Sequence, residues 1–130
     1  MSDAGRELGK AELEALKVLW DHGPATVRQV LDRLREAGRR VAYTTVQTFL
    51  TRLEQKGLVR SDKRGLAHVF RARIRREQVI RSRLKELIDE LYDGAAGPLV
   101  LQLLRSERLT ADEIDALHEL IERLDAESSS

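Results

Sequence analysis

Thr44-Thr45-Val46-Gln47-Thr48-Phe49-Leu50-Thr51-Arg52-Leu53 is the stretch on which the fold turns. Val46, Phe49, Leu50 and Leu53 fall at i, i+3, i+4 and i+7, the spacing of one buried helical face. The opposite side carries Thr44, Thr48, Thr51 and Gln55, with Arg52 at its flank and no carboxylate. Hydroxyls, an amide and one long cation suit phosphates and base edges, because they offer neutral or cationic hydrogen-bonding groups. The pattern predicts a helix from about Thr44 to Lys56, closed by Gly57 and laid against DNA.

Upstream, a first helix is expected from Lys10 to His22, with Leu13, Leu16, Leu19 and Trp20 inward and Gly23-Pro24 ending it. Thr26 is placed to cap a second helix through about Ala37 on the core face Val27, Val30, Leu31 and Leu34, with Gly38 stopping it. Downstream, Leu58–Ser61 and Ala67–Arg71 read as two short strands around the turn Asp62-Lys63-Arg64-Gly65-Leu66. Three short helices and a hairpin with a basic tip make a winged helix-turn-helix, in a chain that is mainly α with a small β wing. The third helix would enter the major groove and the wing cations would reach flanking phosphates.

The candidate DNA contacts are Thr26, Arg40, Tyr43, Thr44, Thr45, Thr48, Arg52, Lys56, Lys63, Arg64 and His68. Taken singly, each has a plainer reading. Thr44 would serve as an N-cap of the third helix, Arg39 and Arg40 as a solvated pair, and Lys63 and Arg64 as charges keeping a hairpin edge soluble. Their convergence on one architecture points to nucleic acid. Trp20 and Phe49 sit at core positions, which leaves no platform for stacking unpaired bases, so the substrate is duplex.

The net charge of +1 conceals an asymmetry. Residues 1–76 hold 17 Lys and Arg against 9 Asp and Glu, whereas residues 77–130 hold 6 against 13. A basic half joined to an acidic half implies that one meets a polyanion and the other does not. The chain has no cysteine, which excludes disulfides and thiolate metal sites. His22, His68 and His118 are isolated from carboxylates at metal-ligand spacing, and there is no Gly-rich phosphate loop, so neither an enzyme nor a cofactor is expected. Purely apolar runs are no longer than Leu99-Val100-Leu101, and no leader segment is evident. A cytoplasmic protein without membrane contact is expected.

In the acidic half a fourth helix is expected from about Arg75 to Tyr92, with Ile80, Leu84, Leu87 and Leu91 forming an a/d seam. Residues 93–97 break it, and Pro98 would be the first residue of a fifth helix through about Arg105. A sixth begins at the capping box Thr110-Ala111-Asp112-Glu113, with a seam of Ile114, Leu117, Ile121 and Leu124. These seams, with Leu99, Val100, Leu103 and Leu104, exceed what so small a unit buries internally. Dimerisation through Ile80, Leu84, Leu87, Leu91, Leu99, Leu103, Ile114, Leu117, Ile121 and Leu124 would cover them. The expected organisation is a DNA-binding domain over 1–74, a dimerisation domain over 75–126 and a disordered tail over 127–130.

The passage Ala42–Val59 closely resembles the signature of the penicillinase-repressor family, the BlaI/MecI/CopY group, in which Tyr-Thr-Thr-Val leads into Thr-x-Leu-x-Arg-Leu and then Lys-Gly. Glu12–Trp20 is similar to the family's first helix, and Gly65–Phe70 to its wing, with Phe70 where Tyr is usual. Asp93-Gly94, Leu99-Val100-Leu101 and Leu109–Ile114 resemble its C-terminal segment. The resemblance implies a homodimeric repressor that occludes a promoter at an inverted repeat, with Thr44, Thr45, Thr48 and Arg52 as helix contacts. It also implies a sensor-linked protease as partner for some members, which are cut inside the fifth helix. The corresponding bond here is Gln102–Leu103, with Gln and Leu where those members have Asn and Phe. The copper-sensing branch uses cysteines, which this chain lacks. An activator or architectural binder, released by a small ligand or not inducible, would use the same DNA-contacting residues.

Overall fold

The computed structural model describes residues 8–129 of the chain. Helix α1 (Lys10–His22) opens at Gly9, whose N–H donates to the Glu12 carboxylate at 3.4 Å. Helix α2 (Val27–Glu36) starts with a reciprocal capping box. The Gln29 N–H donates to Thr26 Oγ1 at 3.2 Å, and the Thr26 N–H to Gln29 Oε1 at 2.9 Å. It stops where Gly38 takes φ +87°, with Arg39 N–H bonded to the Leu34 carbonyl and Gly38 N–H to that of Arg35. That is a Schellman close, whose left-handed residue any Cβ would strain. Helix α3 (Tyr43–Gln55) closes identically at Gly57, φ +77°, through Leu58 N–H to Leu53 O.

Three strands follow the antiparallel order β1-β3-β2, with β1 at Ala25–Thr26, β2 at Val59–Asp62 and β3 at Val69–Ala72. Ala25 pairs with Phe70, and Arg60 with Arg71. The sequence reading missed β1, since two residues are too short to display a period of two. It also set the wing strands one to two residues early. Leu58 is used to close α3, so pairing begins at Val59 and His68 falls in the loop.

The helical stripes converge on one core. Leu16, Val30, Leu31, Val46, Leu50, Leu53 and Val59 are fully buried, and Phe49 and Trp20 pack half-buried at its margin. Among the described residues one charged side chain is buried, that of Glu12, whose carboxylate accepts from Lys56 Nζ at 2.6 Å.

Helix α4 (Arg76–Tyr92) places Val79 in that core and runs unbroken past Leu87, where the first of two compact units ends and the second, from Ile88, begins. Helix α5 (Ala96–Ser106) starts two residues ahead of Pro98, because first-turn N–H groups lack intrahelical partners and tolerate proline. Helix α6 (Ala111–Ser129) begins as expected, with Thr110 and Glu113 exchanging hydrogen bonds. The tail expected to lack structure over 127–130 is helical through Ser129: Asp125-Ala126-Glu127 contains no breaker, and Ser128 Oγ–H donates to the Asp125 carbonyl. Ser130 lies outside the described residues.

Because Leu50 is fully buried where α3 meets the other helices, Leu50→Ala is expected to lower unfolding stability by about 2–5 kcal/mol. Chemical denaturation measures this, and a loss below about 1 kcal/mol contradicts the assigned core.

Candidate nucleic-acid interface

With Val46, Leu50 and Leu53 inward, α3 turns Thr44, Thr45, Gln47, Thr48, Thr51 and Arg52 to solvent. A helix of this length is about 20 Å long and of a width the major groove admits. Thr48 Oγ1–H donates to the Thr44 carbonyl at 3.0 Å, which fixes the hydroxyl of this exposed residue and leaves its oxygen able to accept. Arg52 is exposed and without a carboxylate partner among the described residues.

The start of α3 differs from expectation. Its N-cap is Ala42, so Thr44 lies inside the first turn and caps nothing. Thr45 and Val46 donate back to the Ala42 carbonyl, and the Ala42 side chain offers no acceptor to the turn's leading N–H groups. An exposed, uncapped helix N-terminus attracts anions through its free N–H groups and its dipole. The preceding loop is braced by Arg35, whose Nε and Nη2 donate to the Val41 carbonyl at 3.3 and 3.2 Å. Arg39 pairs with Glu14 at 2.6 Å, whereas Arg40 is exposed beside the turn with no partner among the described residues.

A cleft opens between α3 and the wing. Thr26 lines it from β1, Arg28 from α2, Tyr43, Gln47 and Thr51 from α3, and Lys63, Leu66 and His68 from the wing loop. It brings together the expected contacts Thr26, Tyr43, Lys63 and His68. Thr26 contributes less than expected, since its oxygen accepts from Gln29 and its backbone belongs to β1. At the cleft's inner end Glu54 ties α3 to β2, accepting from Ser61 Oγ at 2.5 Å and Ser61 N at 3.3 Å.

Arg64 is exposed at the wing tip but held locally. Its Nε and Nη2 donate to the two Asp62 oxygens at 3.0 and 2.8 Å, and its backbone N–H to Asp62 Oδ1 at 3.0 Å. These bonds hold the Asp62 carboxyl well below the usual carboxylate range, the guanidinium first. A phosphate at Arg64 would therefore meet a guanidinium whose charge Asp62 already balances, with Nη1 still open to it.

Lys56 does not belong to this face. Its ammonium turns inward to Glu12, because a buried carboxylate needs a cation and Lys56 ends the helix directly above it. Sequence reasoning also passed over Arg28, Gln47, Leu66 and the Arg60–Arg71 pair. Gln47 and Thr51 follow Tyr43 at intervals of four and could have been read from its face. Arg60 and Arg71 stand opposite each other across β2 and β3, like charges that only the strand register reveals.

The expected dimer seam is largely open. Ile80, Leu84, Leu87 and Leu91 on α4, Leu103 on α5, and Ile114, Ile121 and Leu124 on α6 are exposed, with Leu91 at 67%. Leu117 is half-buried. Leu99 differs from the rest of the expected seam in being buried already within the single chain. Val100, Leu101, Leu104 and Leu120 add exposed apolar surface. Gln102 and Leu103 lie exposed in mid-α5.

Residues 8–123 match the penicillinase repressor family model. The chain belongs to the penicillinase repressor family. It is 28% identical over 116 residues to the penicillinase repressor of Bacillus licheniformis, covering 89% of this chain and 90% of that one. It is 34% identical over 120 residues to the transcriptional regulator BlaI of Mycobacterium tuberculosis, covering 92% and 86%. The methicillin resistance regulatory protein MecI of Mammaliicoccus sciuri is 24% identical over 123 residues, covering 95% and 99%. This is a family of transcriptional repressors, and in this chain a winged helix is followed by three further helices. Among the described residues, no helix is long and apolar enough to cross a membrane.

Salt titrations of duplex binding separate the basic residues. Lys56→Gln should lower stability by about 1–3 kcal/mol through the stranded Glu12 and leave the log–log salt slope unchanged. Asp62→Asn keeps the turn acceptor, frees Arg64, and should tighten binding to every duplex while steepening the slope by up to about 0.9. A shallower slope for Lys56→Gln, or weaker binding by Asp62→Asn, contradicts these placements.

Proposed function

We propose that this member of the family is a dimeric, sequence-specific DNA-binding repressor that occludes a promoter at an inverted-repeat operator. The observation that carries the reading is the outward face of α3, which bears Thr44, Thr45, Thr48 and Arg52 without a carboxylate and opens on an uncapped N-terminus. Arg40 and the α3 N–H groups would hold one phosphate. Thr48 and Arg52 would meet base edges, and Lys63, Arg64 and His68 would follow the adjacent backbone.

Residues 1–74 would form the DNA-binding part and residues 75–126 the dimerisation part. Exposed Ile and Leu side chains on α4, α5 and α6 support the second copy, since a monomer keeping them in water forgoes their burial. A twofold pair of α3 helices matches an inverted repeat. The names of the relatives support repression, and the reading puts the protein in the cytoplasm, where its DNA is.

Release by a sensor-linked protease would act at Gln102–Leu103, which is exposed in α5, and would sever α6 from the rest of the chain. Intact mass of the chain after release from DNA tests this, and an uncut chain contradicts it.

The principal experiment combines sedimentation equilibrium with competition binding on a palindromic duplex selected from a randomised pool. The dimer is expected at micromolar concentration or below. Arg52→Ala should lose about 1–3 kcal/mol of discrimination against scrambled duplex. Arg64→Ala should weaken selected and scrambled duplexes alike. A monomer, or selectivity that survives Arg52→Ala, sinks the reading.

A further inference from the structure

The first half of α4 is fastened to the winged helix at several points, none of which the DNA face uses. The Trp20 indole Nε1–H, near the end of α1, donates to the Ile74 carbonyl at 2.8 Å, two residues ahead of α4. Arg76, the first residue of α4, lies with its guanidinium carbon 5.3 Å from the centre of the Trp20 ring. Its Nη2 donates to the carboxylate of Asp21, so one guanidinium joins the ring and the acid that follow each other in α1. Further along, Arg83 Nη2 donates to the Leu8 carbonyl at 3.2 Å, and Val79 is buried in the core. The Arg75 N–H is capped by Gln78 Oε1 at 2.8 Å, which fixes where the helix starts.

These contacts are more than α4 needs to exist. A helix of this length held only by the burial of Val79 would be free to pivot about its first turn, since a single apolar anchor fixes position but not direction. A hydrogen bond, a guanidinium over the ring and an ion pair, each modest alone, together restrict that freedom. The bond from Arg76 also holds the Asp21 carboxyl below its ordinary range, so the pair is formed throughout neutral pH.

We infer that Trp20, Asp21 and Arg76 form a positioning latch that fixes the direction in which α4 leaves the winged helix, and thereby the separation of the two α3 helices in the dimer. This inference rests on the dimeric reading above. The latch residues would touch no DNA. Their role would be to convert a dimer into a ruler for half-site spacing, because the recognition helices of a dimer must match the helical repeat of the duplex. Loosening the latch would leave each winged helix able to bind and let the pair adapt to wrong spacings.

The test uses the full chain and the palindromic duplex selected from a randomised pool, together with versions having one base pair inserted or deleted between the half-sites. The wild type is expected to lose tenfold or more on either altered duplex. Arg76→Ala and Asp21→Asn should bind the selected duplex several-fold more weakly and discriminate between spacings no more than about threefold. Their dimerisation by sedimentation and their binding to a duplex with a single half-site should stay within twofold of wild type. Trp20→Phe retains the ring but not the N–H donor and should fall between. A spacing profile unchanged in Arg76→Ala overturns the inference. So does an equal loss on single and paired half-sites, which would assign these residues to the winged helix itself. A wild-type protein that is monomeric, or indifferent to spacing, would instead remove the dimeric reading on which the latch depends.

Discussion

The rotation of α3 about its own axis is the constraint on which the rest depends. Val46, Leu50 and Leu53 are each fully buried. Removing one such side chain from water is worth about 1.5–3 kcal/mol, so turning the helix by one residue would sacrifice several kcal/mol. No surface contact of a Thr or Arg competes with that, because an exposed ionic contact contributes about 0–1 kcal/mol. The apolar stripe therefore decides which residues face outward, and the polar face is aimed by the core rather than by its target. The two Schellman closures set the ends of the same unit: Gly38 turns the chain from α2 toward α3, and Gly57 passes it from α3 to the wing.

Electrostatics refines this frame instead of creating it. The cations of the basic half divide into those consumed by the fold and those left outward. Lys56 neutralises Glu12, Arg39 meets Glu14, and Arg35 holds the Val41 carbonyl, all in the service of the α2–α3 corner and α1. Arg40, Arg52 and Lys63 remain solvated, and Arg64 is balanced by Asp62. A count of charges thus overstates the positive surface available to a polyanion, and burial together with pairing identifies the part that matters.

Much of the fold was legible in the chain. The stripes on α1, α2 and α3 gave helix ends within a residue or two, since each stripe is bounded by Gly or by a capping box. What escaped depended on distant partners. The fate of Lys56 required knowing that Glu12 is buried beneath it, 44 residues away in the chain. The burial of Leu99 followed from no spacing, because it shares the apolar character of its exposed neighbours Val100 and Leu101. Strand β1 was invisible because two residues carry no period. The site was legible to the same degree: the outward residues of α3 could be read directly, whereas the cleft joining Tyr43 and Gln47 to Lys63 and His68 required the wing to be folded.

The central claim is that two copies present identical α3 faces to one duplex. Hydroxyl-radical footprinting of the full chain on its selected duplex tests this most directly. The account predicts two equivalent protected patches related by a dyad and centred about one helical turn, or a whole multiple of it, apart. A single protected patch without a dyad, or uniform protection along the duplex, would contradict it.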